Sequence, residues 1–166
     1  MKGVKVIVLL LGAMLMAGCE DSTFQNSVPA YPVHVVIDTR MGDFVHFQRE
    51  IVGDYVIVTP SGYFHKDKLV QPLLATDRCG YGGVIVYVNM LQDYCAFDLA
   101  CPNCAQKSLC RPCLIDGLYG VCPECGEQYD ISSGTAAPQR GIAHETLRPL
   151  NVNGKETGKL VISQKR

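Results

Sequence analysis

The sequence predicts an all-β fold, a sandwich or open barrel carrying a small cysteine-rich lobe. Three observations predict it. The apolar runs are short and rich in Val, Ile, Tyr and Phe, turn residues separate them closely, and no stretch keeps a helical period for three turns. In chain order, strands are expected at Val33 to Ile37, Phe44 to Phe47, Tyr55 to Val58, Val84 to Val88, Cys95 to Leu99 and Leu160 to Ser163. Gly42-Asp43, Gly53-Asp54, Pro60-Ser61-Gly62, Gly82-Gly83, Gly126, Gly134 and Asn153-Gly154 supply the turn chemistry between them. The lobe is expected at residues 101–125, where six cysteines fall and few side chains are available to fill a core. So small a unit needs metal or covalent cross-links to offset its chain entropy.

The N-terminus has the form of an export signal. Lys2 and Lys5 precede an apolar run from Val6 to Met16, which ends at Ala17-Gly18-Cys19. The run is well short of the roughly 20 residues that span a bilayer. Met16, Ala17 and Gly18 before Cys19 resemble a bacterial lipobox, which implies a lipoprotein signal peptide at residues 1–18 and lipid on the Cys19 thiol. Glu20 and Asp21 resemble the acidic signal that sends some Bacteroidetes lipoproteins to the cell surface. The expected location is therefore the cell envelope, in the outer membrane or at the cell surface more than in the inner membrane, with the membrane as partner through Cys19. Residues 19–32 then read as the lipidated Cys19 and a flexible linker, rich in Ser, Thr, Gln, Asn and Pro.

Losing Lys2 and Lys5 would take the net charge from −1 to −3, so nothing favours nucleic acid as a partner. The histidines at 34, 46, 65 and 144 are scattered, and Ser61 lacks a nucleophile-elbow pattern. Asp67, Asp77, Asp93 and Asp98 show no paired spacing for acid–base work. No catalytic constellation emerges, which points away from an enzyme.

The chemistry-bearing residues are cysteines. Cys101-Pro-Asn-Cys104 and Cys122-Pro-Glu-Cys125-Gly126 each aim two thiolates at one spot, a pattern that closes a tetrahedral cage around zinc or iron, as in zinc-ribbon and rubredoxin-like sites. The same four sulfurs suit a [2Fe-2S] cluster. Cys110-Arg-Pro-Cys113 is a third pair, offering alternative ligands, a tight disulfide or a dithiol. An exported protein also allows all eight remaining cysteines to be disulfides, with no metal at all. Cys79 and Cys95 read as buried thiols or one further disulfide.

From Gly82 onward the chain resembles a Rieske-type [2Fe-2S] domain. Gly82-Gly83-Val84-Ile85-Val86-Tyr87 resembles the early strand of that family, and Tyr94 to Pro102 the run into its first ligand loop. Gly120 to Asp130 resembles the second loop and following strand, while Ser133-Gly134, Pro138, Gly141 and Leu147 to Val152 resemble the closing hairpin. The resemblance implies a Rieske-like domain over residues 33–166, an iron-sulfur electron-transfer role and a redox partner protein. Cys101 and Cys122 match the family cysteines. Asn103 and Cys125 stand where the family has histidines, so Cys104 and Cys125 would complete a four-sulfur set. A cluster held so would have a low potential, because added thiolate charge favours its oxidised state. Two function classes follow: an electron-transfer component, or a redox-silent structural or binding module with zinc.

Overall fold

The computed structural model describes residues 26–165, so the expected signal peptide at 1–18 and lipidation at Cys19 lie outside the described residues. Among the described residues, no helix is long and apolar enough to cross a membrane. The described residues form thirteen strands in two antiparallel sheets.

The larger sheet has nine strands: β1 (Val33–Asp38), β2 (Tyr55–Thr59), β3 (Gly62–His65), β4 (Lys68–Gln71), β5 (Arg78–Cys79), β6 (Val84–Val88), β7 (Tyr94–Asp98), β12 (Pro149–Asn153) and β13 (Lys159–Gln164). Their order across the sheet is β4-β3-β2-β6-β7-β12-β13-β1-β5. The sheet curls on itself, because side chains from near both its edges enter one core. Val33, Val35 and Ile37 of β1 meet Tyr63 of β3 there, together with Val84, Val86 and Val88 of β6 and Leu160 and Ile162 of β13. Alternation along β1 and β13 selects the inward set, the expected mark of a half-buried strand.

The smaller sheet comprises β8 (Leu114–Asp116), β9 (Tyr119–Val121), β10 (Gln128–Asp130) and β11 (Ala137–Arg140), ordered β11-β10-β9-β8. It belongs to the lobe, which packs on the outer face of the barrel. Ile85 and Tyr87 of β6 and Phe97 of β7 face it, joined by Leu99, Tyr129, Ile131, Leu147 and the cysteines 101, 104, 113 and 122. All five residues of β6 are consequently buried. A strand covered on both faces reads as a continuous apolar run, as Val84-Ile-Val-Tyr-Val88 does.

The all-β barrel with an appended cysteine lobe is thus the observed architecture, with two local departures. Phe44 to Phe47 is not a strand; it lies in a 3₁₀ helix, Gly42–Arg49, that buries Phe44 and Phe47 and exposes Val45. A spacing of three between the buried rings is the 3₁₀ period. The lobe also extends past Cys125 to β11, and it does fill a core, using Tyr129, Ile131 and Leu147 from beyond the cysteine segment.

The segment from Asn26 to Pro32 is docked, although its composition reads as linker. Asn26 Nδ2 donates to the Thr146 carbonyl at 2.8 Å, the Ser27 N–H and hydroxyl donate to Glu145, and Val28 is fully buried. Arg148 donates to the Val28 carbonyl at 2.9 Å, and the Gly80 N–H to that of Pro32 at 3.1 Å.

Candidate metal centre

Two loops form the centre, and each is positioned by the strand beside it. The first leaves β7 at Asp98 and reaches Cys101 three residues later. Asp98 is fully buried, and its carboxylate accepts N–H groups from Tyr81 at 2.7 Å, Gly82 at 2.9 Å and Ala100 at 2.9 Å. Burial pushes its carboxyl above the usual range while those three donors pull the other way. Gly80, at φ +73°, and Gly82 let the chain wrap this carboxylate; a Cβ on Gly82 would run into the Ala100 backbone. Cys101 then caps the short α-helix α1 (Pro102–Ala105), with Pro102 at its first position and Cys104 on its inner side. The Cys101 N–H donates to the Arg111 carbonyl and the Cys113 N–H to that of Leu99, pinning the return of the loop.

The second loop joins β9 to β10. The Cys122 N–H donates to the Glu127 carbonyl at 2.9 Å and the Gly126 N–H to the Cys122 carbonyl at 2.9 Å, so the Cys-Pro-Glu-Cys-Gly turn folds back on itself. Glu127 is buried and accepts from the Ile142 N–H at 2.7 Å and the Ala143 N–H at 3.2 Å, holding the loop at 141–143 beside the turn.

The sulfurs of Cys101, Cys104, Cys122 and Cys125 all lie within 4.8 Å of one another. Two separations between the loops are 3.6 Å, from Cys101 to Cys125, and 3.7 Å, from Cys104 to Cys122. Both are far beyond a disulfide bond of about 2.05 Å. Cys101, Cys104 and Cys122 are buried, and Cys125 is half-exposed. The Tyr129 hydroxyl lies 3.4 Å from the Cys101 sulfur. Hydrogen bonding from Cys113 chiefly holds the Cys101 thiol down, at about 4, with Tyr129, the Cys104 N–H and Cys125 adding to it against the effect of burial. Burial pushes Cys122 up to about 11 and Cys104 above the ordinary thiol range. Burial thus favours the protonated thiols of Cys104 and Cys122, and a divalent ion would draw those protons off.

The remaining cysteines separate. Cys110 and Cys113 do not share an environment: the Cys110 sulfur donates to the Tyr81 carbonyl at 3.2 Å, while Cys113 is buried beside Cys101. Cys79 packs against the barrel core and Cys95 against the lobe core, on opposite faces of the curled sheet. The Cys95 sulfur sits 3.4 Å from the Tyr87 carbonyl, and burial pushes its thiol up to about 12. Sequence reasoning did not single out Asp98, Glu127 or Tyr129 for the site, and it offered Cys113 only as an alternative ligand or disulfide partner of Cys110. A carboxylate ending β7 and a tyrosine in the middle of β10 carry no local signal; only the packing of the elements brings them to the sulfurs.

No known protein-family model matches the chain, and no curated protein does. Among solved structures, one similar chain belongs to the complex of reduced oxygenase and oxidized ferredoxin in carbazole 1,9a-dioxygenase. It shares 15% identity over 86% of this chain and 98% of its own, at a TM-score of 0.43. That likeness assigns no cofactor and no partner to this chain. The chain's own geometry provides a barrel bearing two cysteine loops whose four sulfurs fit a metal ion.

Proposed function

We propose that the protein is an exported, lipid-anchored module whose lobe is fastened by one metal ion on Cys101, Cys104, Cys122 and Cys125. The spacing of the four sulfurs carries this reading. A tetrahedron with metal–sulfur bonds of about 2.3 Å has edges of about 3.8 Å. The two inter-loop distances, 3.6 and 3.7 Å, match that edge, and every pair falls inside 4.8 Å. A [2Fe-2S] cluster would need two irons and two sulfides between the ligand pairs, for which so tight a set leaves too little space. The four-sulfur set is thus suited to a single ion; the likeness of its loops to Rieske ligand loops, with Asn103 and Cys125 in place of histidines, rests on the sequence.

Zinc is the favoured occupant, since a buried four-thiolate cage is its usual closed structural site. Zinc there would be redox-silent and would tie the two loops together. Iron is the second reading, favoured by the half-exposed Cys125, which brings one ligand to the surface where an electron could pass to a partner protein. Purified protein should contain one metal per chain, no acid-labile sulfide and, with zinc, no visible colour. One iron with strong visible absorption would transfer the function to electron carriage; two irons with sulfide would overturn the single-ion reading. Lipid anchoring at Cys19 is tested separately by incorporation of labelled fatty acid, which Cys19→Ala should abolish together with membrane association.

A further inference from the structure

We propose that the end of the domain bearing the cysteines faces the bilayer that anchors the protein. This rests on the lipid-anchor reading and adds an orientation to it.

The strand register places the point of attachment. Val84 at the start of β6 opposes Asp98 at the end of β7, Pro149 at the start of β12 opposes Phe97, and Asn151 opposes Ser163 near the end of β13. His34 at the start of β1 opposes that same Ser163. The chain therefore enters the barrel at the end where β7 departs for Cys101. Docking of the preceding segment fixes it there, because Glu145 accepts from both Ser27 and Gln106 Nε2 at 3.0 Å, two residues past Cys104. A single carboxylate links the incoming chain to the first cysteine loop.

The length of chain between lipid and domain decides the rest. Seven Cα steps separate Cys19 from Asn26, a reach of no more than about 25 Å when fully extended. A compact domain of this size is about 37 Å across. The opposite end, where the β6–β7 turn exposes Met90 and Leu91 beside Ile51 and Val52, cannot turn to the bilayer unless the docked segment peels away. Both ends expose apolar side chains, Ile142 and Leu114 at the cysteine end among them, so exposure alone assigns neither. The tether does. The gap left at the cysteine end is too narrow for a soluble protein as large as this domain, so whatever meets the centre head-on is lipid, a membrane-held partner or a small solute.

The chain contains no tryptophan, which makes the test simple. Ile142→Trp and Leu91→Trp each place one fluorophore at an exposed position, at the near and far ends. The full-length lipidated proteins are reconstituted into phosphatidylcholine vesicles containing dansyl-labelled phosphatidylethanolamine, and energy transfer from tryptophan is measured. Transfer at least threefold stronger from position 142 than from 91 is expected. Equal or reversed transfer, with the protein still membrane-bound, overturns the orientation alone. A twenty-residue Gly/Ser insertion between Gln25 and Asn26 should equalise the two; a difference that survives it overturns the tether-length argument. If Cys19→Ala stays on the membrane as fully as the parent, the lipid anchor itself fails, and the orientation with it.

Discussion

The barrel and the lobe are both antiparallel β-structure, yet they are held by different means. The barrel draws buried side chains from seven strands into one apolar core, with Val35, Ile37, Val56, Val58, Leu160 and Ile162 all closed to solvent. The lobe has strands of three or four residues, and a third of its fully enclosed core residues are cysteines. Strands that short cannot hold a register against chain entropy by apolar burial alone. The proposed metal cross-link between residues 101–104 and 122–125 would make up the difference.

The largest separation of the two regions should come from Cys122→Ser. It removes a ligand from a site whose binding free energy is of order 10 kcal/mol in comparable small modules. Metal content should fall to nothing and amide protection should vanish across β8 to β10, while β1, β6 and β13 stay protected. Unchanged metal and melting would refute the cross-link. Asp98→Ala comes next, at about 4 kcal/mol, because it leaves three buried N–H groups without an acceptor at the seam between the regions. Urea denaturation measures it, and a cost under about 1 kcal/mol would mean that water replaces the carboxylate. Leu160→Ala should cost about 3 kcal/mol through the barrel alone, leaving metal affinity intact; weakened metal binding would show that the regions are not separable.

Cys95 gives a pH test of the wall between them. Its folded thiol titrates at about 12, well above a free thiol. The folded state therefore holds a proton that the unfolded state gives up near pH 9. The stability owed to this group is complete below pH 9 and is lost as pH rises towards 12. In Cys95→Ala the alkaline decline should be shallower over that window, and an identical slope would refute the assignment. The smallest effect belongs to Cys110→Ser, which should leave metal content unchanged and stability within about 0.5 kcal/mol. Loss of metal there would revive a different quartet.

What was legible in the sequence divides along the same line. Val33, Tyr55, Val84, Cys95 and Leu160 each begin or lie in a run that is a strand, because barrel strands need apolar side chains on every inward position. The four ligand candidates were legible because Cys-Pro-x-Cys dictates its own turn. Phe44 to Phe47 misled because two aromatics three apart suit a pleat by composition and a 3₁₀ turn by period. The lobe strands Leu114–Asp116, Tyr119–Val121 and Gln128–Asp130 are too short and polar to announce themselves. The docking of Asn26 to Val28 was hidden for another reason: its partners are Thr146, Glu145 and Arg148, about 120 residues away.

The doubly covered strand β6 imposes an order of assembly. Its Val84, Val86 and Val88 belong to the barrel and its Ile85 and Tyr87 to the lobe. The lobe has no floor until the β6–β7 hairpin is in place, whereas the barrel needs nothing from the lobe to close. On refolding of the complete chain, the barrel would therefore close with the cysteine loops still open, and a metal would arrive last, sealing a scaffold already built. A chelator added after folding should strip the metal, and zinc added once the chelator is removed should reload it, without passing through the unfolded state.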